Sequence, residues 1–352
     1  KSTTIGTLVS DGKKVTNDEM KTNVLNECFS SVFVPDNGVE EEPTEMFFGT
    51  EEEKLTDVYI SPDIVVKKLR ALKTTSSPGP DGIHPRILKE CAEQLGLPLS
   101  IIFRKSLDQG VLPKEWKATH ICPIFKKGRK DDPTNYRPIN MASVIAKVME
   151  SILKDSIMGH LSQHRLILKT QHGFMPGRSC TTNLLEYLNH VTSALDKGEC
   201  YDAVMLDYRR AFDRVPFKHM LAKVEKHGIS GLILEWIRDW TQNRRQRVVL
   251  NGEVSEWIEV TSSVVQGSVL GPILFAIYIN DLDVSMNCTD SVLISKFADD
   301  TKVGRAISKS TDCLELQNAL NDLASWSARW GMELHPDKCT VIHFGKNNPE
   351  FV

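Results

Sequence analysis

The chain has 352 residues, 41% of them hydrophobic and 25% charged, and its formal net charge is −3. This composition is typical of a globular protein, and the length exceeds that of one average domain. No apolar run reaches the ~18 residues of a transmembrane helix and no signal-peptide pattern is present, so nothing in the sequence points to a membrane or to secretion. The chain opens with Lys1 rather than Met, from which we expect a piece of a longer polypeptide.

The eight cysteines are scattered, with no C-x-x-C and no Cys/His spacing of a metal site. Reduced, buried thiols in an intracellular protein are the simplest interpretation. The net charge conceals an asymmetry, because residues 36–57 hold nine acidic residues and one lysine. We interpret that stretch as a flexible solvated linker. Basic clusters at 126–130 and 244–247 indicate either solvated surface or a phosphate-backbone partner.

Apolar residues recur at helical spacing in ten stretches of the chain. Thr182 is the expected cap at the start of one of them, and several are expected to end at a glycine. The predicted helices cover residues 17–34, 61–72, 85–95, 97–109, 143–157, 182–197, 216–227, 232–240, 272–282 and 313–330.

Alternating or β-branched runs predict strands between these helices. Asn251-Gly252 lies between two such runs and is a strong hairpin signal. The runs 291–297 and 301–303 predict a second hairpin with Asp299 and Asp300 at its tip. The other predicted strands cover residues 119–125, 135–139, 201–207, 247–250, 254–260, 334 and 341–344.

Three carboxylates stand out in this pattern. Asp299 and Asp300 are adjacent at a predicted turn, where an Asp pair alone is most often solvated. Asp207 ends a strand whose apolar run, residues 203–206, is typical of a central strand covered on both faces. A charge at that place is costly without a partner. Carboxylate oxygens are ligands that Mg²⁺ prefers, so the three residues together predict a magnesium site.

A basic hairpin is the second candidate site. Lys126 and Lys127 follow one predicted strand and Arg137 lies on the returning strand, so they could grip a triphosphate through a point charge and a two-pronged donor. A basic surface hairpin is the alternative interpretation. His160 and His164 stand four residues apart, but no Glu follows the first as a zinc-protease helix requires, so we predict no metal site there.

Eight short motifs follow one another along the chain: Pro78-Gly79-Pro80-Asp81-Gly82, Pro123-Ile124-Phe125-Lys126-Lys127, Asn135-Tyr136-Arg137-Pro138, Gln171-His172-Gly173-Phe174, Asp207 with Ala211-Phe212-Asp213, Gln266 to Pro272, Phe297-Ala298-Asp299-Asp300 and residues 326–338. Each is weak alone. In this order they resemble the blocks of a reverse transcriptase, specifically that of non-LTR (LINE-type, jockey-like) retrotransposons, and the resemblance covers nearly the whole chain.

The resemblance implies an α+β right-hand polymerase fold with fingers and palm, the palm an antiparallel sheet backed by helices and the thumb truncated or absent. Residues 1–57 would be an N-terminal helical segment and acidic linker, 58–200 mainly fingers and 201–352 mainly palm, with the reverse transcriptase domain at about 107–352. The implied function is an RNA-directed DNA polymerase that uses an RNA template, a DNA primer and dNTPs. We further expect an endonuclease domain upstream, no membrane partner, and an intracellular ribonucleoprotein in nucleus and cytoplasm.

The resemblance also implies catalytic residues and cofactors. Two Mg²⁺ ions, which Mn²⁺ could replace, would be held by Asp207, Asp299, Asp300 and the backbone carbonyl of Tyr208. One ion would activate the primer 3′-hydroxyl and the second would hold the triphosphate. Lys338 would protonate the leaving group.

The remaining implied residues bind the nucleotide. Lys126 or Lys127, together with Arg137, would bind its phosphates. Phe212 would press against the sugar where a 2′-hydroxyl would be and so select deoxynucleotides. The pair Gln266-Gly267 would position the incoming nucleotide.

The chain departs from the family at two places. Tyr208-Arg209-Arg210 stands where Phe-Ser-Lys is usual, and Ser263-Val264-Val265 stands where Gly-Val-Pro is usual. Loss of that Gly and Pro would shift the loop that carries Gln266, since both fix unusual backbone angles. A catalytically decayed or repurposed RNA-binding copy is therefore the alternative function. An RNA-dependent RNA polymerase is disfavoured by the bulky Phe212.

Overall fold

The computed structural model describes residues 5–35, 42–286, 291–346 and 348–350. They form an α+β structure of sheets and packed helices, as the sequence predicts. The helices are α1 (Asp18–Ser30), α2 (Pro62–Arg70), α3 (Pro85–Glu90), α4 (Ala92–Gln109), α5 (Val144–Gln163), α6 (Cys180–Asp196), α7 (Phe217–Lys226), α8 (Gly231–Thr241), α9 (Gly271–Tyr278), α10 (Leu282–Ser285) and α11 (Ser310–Arg329). The strands are β1 (Leu8–Ser10), β2 (Lys13–Val15), β3 (Ala118–Phe125), β4 (Tyr136–Ala142), β5 (Cys200–Leu206), β6 (Arg245–Leu250), β7 (Glu253–Val254), β8 (Ile258–Glu259), β9 (Leu293–Phe297), β10 (Asp300–Ile307) and β11 (Thr340–Phe344).

A four-stranded sheet has the order β11-β5-β10-β9, and every pair in it is antiparallel. β5 lies in its interior, between β10 and β11, and its residues Ala203 and Val204 are buried. The apolar run is therefore the covered strand that the sequence predicts. Asp207 follows its last residue.

β9 and β10 form the predicted hairpin, with Phe297 paired to Asp300 and a two-residue turn at Ala298-Asp299. The prediction that both acids lie at the tip is correct for Asp299 only, because Asp300 is the first residue of β10. Ala298 has a φ of 57°, in the left-handed region that tight two-residue turns use. The turn thus contains one alanine in a conformation that favours glycine.

A five-stranded sheet has the order β4-β3-β6-β7, with β8 also paired to β6. β3 pairs antiparallel with β4 and parallel with β6, so strands from both halves of the chain meet here. Asn251-Gly252 joins β6 to β7 as predicted. The predicted strand 254–260 is wrong as one element, because it is broken into β7 and β8. Ser255 lies at the break, and its Oγ accepts the Val248 N–H at 2.9 Å.

Two helix starts differ from the prediction. The break between α3 and α4 falls at Cys91 rather than near Gly96, which lies within α4. Gly96 approaches α2 closely, since a Cβ there would lie 2.5 Å from Val66 Cγ2. Gly96 therefore allows α4 to pack against α2 and does not end a helix.

The cap of α6 is Ser179 rather than Thr182. Ser179 Oγ accepts the Thr182 N–H at 3.2 Å, and Thr182 Oγ1 accepts the Ser179 N–H at 2.9 Å.

The predicted helix 272–282 is also wrong at its end, because α9 stops at Tyr278 and α10 is separate. Asn280 lies between them and is completely buried. Its side chain accepts the Leu168 N–H at 3.0 Å and donates to the Leu166 carbonyl at 2.7 Å. The break thus binds the segment that follows α5, which the periodicity of α9 could not reveal.

The N-terminal segment packs on the five-stranded sheet. Leu8 of β1, with Leu25 and Phe29 of α1, contributes to a buried cluster that includes Ile121 and Val248 of the sheet. The main core lies elsewhere, where the helices cover the four-stranded sheet. Residues 5–30 are thus an integral part of the folded structure.

The thiol prediction is correct in part. The seven cysteines in the described ranges are free, but the expectation that they are buried is wrong, because Cys91 and Cys180 are exposed and the others are half-buried. Cys288 lies outside the described residues. No helix in the described part of the chain is long and apolar enough to cross a membrane.

His227 connects α5, α7 and the break after α9. Its Nδ1 bonds to the Lys223 carbonyl at 2.7 Å and its Nε2 to Asn280 Nδ2 at 3.0 Å, while its own carbonyl bonds to His160 Nε2 at 2.8 Å. His160 and His164 both contact the ring of Phe47. The rings of His160 and His164 therefore pack against Phe47 and against each other.

We expect His227 to make stability pH-dependent. Burial lowers its pKa to about 4, whereas an unfolded histidine has a pKa of about 6.5. Between pH ~4 and pH ~6.5, therefore, this histidine is protonated in the unfolded chain and neutral in the folded chain. The contribution of His227 to the free energy of unfolding is fully present above pH ~6.5 and is lost as the pH falls. The expected loss between pH 7 and pH 5 is about 2 kcal/mol in urea unfolding. A His227→Gln variant that loses the same amount over this range would contradict the assignment.

Candidate active site

Asp207 and Tyr208 lie where β5 meets the segment before β11. Tyr208 forms an antiparallel bridge with Leu334, in which the Asp207 carbonyl accepts the His335 N–H and the Arg209 N–H donates to Glu333, both at 2.8 Å. In a bridge of this type the backbone groups of the central residue point away from its partner. The Tyr208 carbonyl therefore faces away from Leu334. Burial of the phenol raises the pKa of Tyr208 to about 12.

The structure brings the three predicted carboxylates together. Burial raises the pKa of Asp299 to about 6, and the neighbouring charges of Asp300 and Asp207 act in the same direction. Thr301 pairs with Leu206, so one further step in that register sets Asp300 opposite Asp207. Asp300 is exposed and Asp299 is half-buried. Asp207, Asp299 and Asp300 thus lie near one another at the same end of the neighbouring strands β5 and β10.

Cationic side chains lie near these acids. Lys338 Nζ lies 3.3 Å from Asp207 Oδ1. Partial burial lowers the pKa of Lys126, and the positive charges of Arg137, Lys338 and Lys127 act in the same direction, whereas Asp207 opposes them. Arg137 also acts on Asp299. The predicted phosphate-binding residues and the predicted acids are therefore neighbours.

Phe212 is held between two other rings. It stacks on Phe275 with 4.1 Å between ring centroids, and the Phe174 ring meets it edge-on at 6.1 Å. Phe174 is 44% exposed and has a φ of 64°, which is unusual for a bulky residue. The Phe212 carbonyl accepts the Val264 N–H at 2.7 Å, which ties this segment to the next loop.

That loop carries Gln266 and Gly267. Gln266 Nε2 donates to Asp213 Oδ1 at 3.1 Å, and burial raises the pKa of Asp213 to about 6. Gly267 has a φ of +93°, and a Cβ there would lie 3.0 Å from the Asn140 carbonyl of β4. Both its conformation and its space therefore require glycine. The loop contacts both the Phe212 segment and the five-stranded sheet.

A sequence profile described as reverse transcriptase (RNA-dependent DNA polymerase) matches residues 124–351, more than half of the chain. The chain belongs to the reverse transcriptase family. It is 29% identical over 290 residues to a probable RNA-directed DNA polymerase from transposon BS of Drosophila melanogaster, which covers 78% of this chain and 31% of that protein. It is also similar to the RNA-directed DNA polymerases from mobile element jockey of Drosophila melanogaster and Drosophila funebris, at 29% and 30% identity over 79% and 78% of this chain. The chain covers 31% and 30% of those two proteins. The jockey-like resemblance is therefore confirmed.

Two buried side chains contact the reverse transcriptase motifs in a way that the sequence did not reveal. Gln171 is completely buried and its side chain bonds to Ala298, the residue before Asp299. Glu150 of α5 is buried as well, and its Oε2 accepts the N–H groups of Val269 and Leu270 at 2.7 and 3.3 Å. The Gln-His-Gly-Phe motif was a signal for Gln171, but nothing in the sequence singled out Glu150. Each of these side chains holds one loop of the candidate site.

The chemistry of the acids fits the divalent cation that the reverse transcriptase family implies. Across the described ranges, no three His, Cys, Asp or Glu side chains lie close enough together to hold a metal ion by themselves. Mg²⁺ usually binds one or two carboxylates together with substrate phosphates and water, rather than a cage made of protein alone. Asp207 and Asp299 are such a pair of oxygen donors, and the cations beside them suit a triphosphate.

Ser263 is strained at the place where the family usually has glycine. Its φ is 141°, and its N–H is held by the Val215 carbonyl at 3.2 Å. We expect Ser263→Gly to raise the free energy of unfolding by about 1 kcal/mol, because glycine adopts this backbone without strain. Urea unfolding measures the change. Ser230→Gly is the control, since Ser230 has an ordinary φ of −144° and glycine there should lower the free energy of unfolding. Equal effects of the two variants would show that the backbone of Ser263 is not strained.

Proposed function

We propose that the chain is the polymerase region of a non-LTR retrotransposon reverse transcriptase, which joins dNTPs to a primer 3′-hydroxyl on an RNA template. The observation that carries the proposal is that Asp207 and Asp299, where β5 ends and β10 begins, lie near Lys126, Arg137 and Lys338. In this proposal the four-stranded sheet is the palm and the five-stranded sheet belongs to the fingers. The relatives are longer than this chain, which leaves room for the expected upstream endonuclease.

Asp207 and Asp299 would hold two divalent cations, with Asp300 and the Tyr208 carbonyl as further oxygens. The cations, Mg²⁺ or in its place Mn²⁺, supply Lewis-acid activation of the primer hydroxyl and neutralise charge on the triphosphate. Burial is the main cause of the raised pKa of Asp299, and repulsion from the nearby charges of Asp300 and Asp207 acts in the same direction. A cation that binds both acids relieves this repulsion.

The cationic side chains would bind the triphosphate and complete the proton transfer. Lys126 would act together with Arg137, because both lie near the acids; Lys127 is the next residue after Lys126. Arg137 offers two donors in a plane and Lys126 offers a point charge. Lys338, whose Nζ lies 3.3 Å from Asp207 Oδ1, would give a proton to the leaving pyrophosphate oxygen.

Phe212 would select the sugar, since its ring is fixed by Phe275 and Phe174 on two sides. We expect Phe212→Ala to admit ribonucleotides and to reduce the discrimination between dNTP and rNTP by about 10²-fold or more, because one removed side chain opens the space of a hydroxyl. Single-nucleotide extension with each substrate measures the ratio of kcat/KM. Phe217→Ala, a buried ring in α7, is the control for general loss of packing. Unchanged sugar selection in Phe212→Ala would remove Phe212 from this role.

The proposed function is tested by extension of a DNA primer on an RNA template with Mg²⁺ and dNTPs, run beside Asp207→Asn. Extension by the native chain that is lost in the variant supports an RNA-directed DNA polymerase with its metal site at Asp207. RNA binding that needs no Mg²⁺, without extension, would identify a catalytically decayed RNA-binding copy instead. A longer chain, extended beyond both ends of this sequence, shows whether extension requires further residues.

A further inference from the structure

Gln171 lies beside the turn that carries Asp299 and is completely buried. Its Oε1 accepts the Ala298 N–H at 2.9 Å and the Gly173 N–H at 2.8 Å. Its Nε2 donates to the Ala298 carbonyl at 3.4 Å. One carboxamide therefore bonds both backbone polar groups of the residue that precedes Asp299.

The backbone around Gln171 is joined to β9 as well. Gln171 forms a parallel bridge with Lys296, in which the Lys296 N–H donates to Thr170 and the His172 N–H donates to Lys296, both at 2.8 Å. Lys296 is itself completely buried, and its Nζ lies 2.5 Å from Asp283 Oδ1. The segment 170–173 thus runs along β9 as far as the turn. Its backbone is bonded to Lys296, which is itself held by the buried pair with Asp283.

Gly173 makes the approach to the turn possible. A Cβ at this position would lie 2.3 Å from the Ala298 nitrogen and 3.0 Å from Gln171 Oε1. Gly173 does not have a positive φ, so it is required for space and not for conformation. Any larger residue at position 173 would prevent the segment 170–173 from coming this close to the turn.

The turn needs such a support because its backbone is strained. Ala298 has a φ of 57°, a left-handed conformation that is unfavourable for any L residue. A two-residue turn under this strain would relax away from Asp207 unless its backbone were held by neighbouring groups.

We propose that Gln171, with Gly173, is a positioning residue: its carboxamide fixes the Ala298-Asp299 turn so that Asp299 faces Asp207 at the spacing a divalent cation needs. The inference rests on the proposed function, because it assumes that these two acids bind the cation. Residues that orient metal ligands commonly contribute 10- to 100-fold to metal affinity, and we expect a change of about that size here.

Gln171→Met tests the carboxamide, because Met keeps the volume of the side chain and loses all three hydrogen bonds. Gln246→Met is the matched control: Gln246 lies in β6 of the five-stranded sheet and is also buried, but its Nε2 donates to Asn26 Oδ1 of α1. The primary readout is Mn²⁺ affinity, measured from the EPR signal of the free ion, and the second is the Mg²⁺ concentration at half-maximal extension rate. We expect the Mn²⁺ affinity to fall and the half-maximal Mg²⁺ concentration to rise, each about 10- to 100-fold, in Gln171→Met. Both should stay native in Gln246→Met, although both variants unfold more easily.

Gly173→Ala is the second variant, in case Gln171→Met does not fold. Its control is Gly159→Ala in α5, where an added Cβ meets nothing within 4 Å. We expect weaker Mn²⁺ binding in Gly173→Ala and native binding in Gly159→Ala. Native Mn²⁺ affinity in either variant of the segment 170–173, once folded, overturns the positioning role.

Asp207→Asn and Asp299→Asn separate this inference from the proposed function. If they weaken Mn²⁺ binding and Gln171→Met does not, the metal site stands and only the positioning role is refuted. If they leave Mn²⁺ binding unchanged, the cation is not bound by these acids, and the proposed metal site is refuted together with the inference. Weakened binding in all three variants supports both.

Discussion

Asp299→Asn is expected to abolish primer extension and at the same time to stabilise the protein in the absence of divalent cations. Burial, with Asp300 and Asp207 as neighbours, raises the pKa of Asp299 to about 6, from an ordinary value of 3.8. The folded chain therefore resists ionisation that the unfolded chain accepts, so stability falls as the pH rises from about 4 through 6 and the full penalty is present at pH 7. Asparagine removes a penalty of about 3 kcal/mol.

The same change removes one of the two carboxylates on which the proposed chemistry depends. A loss of several kcal/mol of transition-state stabilisation corresponds to a rate reduction of about 10³-fold or more. Two measurements check the prediction: extension with Mg²⁺, and thermal unfolding in EDTA at pH 7 and at pH 4. The gain in Tm should be present at pH 7 and mostly lost at pH 4, where Asp299 is protonated in the folded chain and about half protonated in the unfolded chain.

Asp196→Asn is the control for Asp299→Asn, because it makes the same chemical change at an exposed position near the end of α6. It should leave extension unchanged and shift Tm little at either pH. Asp299→Asn with near-native extension would show that Asp299 does not bind the catalytic cation. A lower Tm in EDTA at pH 7 would show that its carboxylate is paired in a way that outweighs the repulsion.

Lys223→Met is expected to lower the free energy of unfolding by about 3–5 kcal/mol. Lys223 is completely buried in α7, where its Nζ lies 2.6 Å from Asp281 Oδ1 and donates to the Tyr278 carbonyl at 2.9 Å. The ammonium also lies over the rings of Trp330 and Trp326, at 3.8 and 4.5 Å from their centroids. Burial lowers the pKa of Lys223 to about 8, so the side chain stays charged at pH 7.

The size of this effect comes from the partner that remains. After Lys223→Met the buried Asp281 keeps a single side-chain donor among the described contacts, Trp326 Nε1 at 3.1 Å, and an unpaired buried carboxylate is costly. Urea unfolding at pH 7 measures the loss. The double variant Lys223→Met/Asp281→Leu should recover much of it, because an apolar pair can replace a buried ion pair at little cost.

Lys226→Met is the control on the same helix, since Lys226 is only half-buried and its partners Glu45 and Glu42 are exposed. Its expected loss is below about 1 kcal/mol. If Lys223→Met costs no more than Lys226→Met, the buried pair does not hold α7 against α9 and α11. If the double variant is no more stable than the single one, the cost comes from packing rather than from the stranded charge.

The sequence by itself determined where the reactive groups are. An apolar run that ends in Asp207, and an Asp pair at a predicted hairpin, gave the acidic residues, because strands and tight turns have local patterns of period two and of turn-forming residues. The ordered motifs added the family, which the match over residues 124–351 confirms. The acids, Lys126, Arg137 and Lys338 then lie together as the motifs imply.

Only the tertiary structure decided what holds these groups in place. Gln171 bonds to Ala298 across 127 positions of the chain, and Glu150 bonds to Val269 across 119. No local pattern marks such a pair, because its geometry depends on how the whole core packs. The same holds for the details of the hairpin: whether Asp300 belongs to the turn or to β10 follows from the pairing of Phe297, which the register of the complete sheet sets. Local sequence specifies the chemical groups and their elements, whereas long-range packing specifies the distances between them.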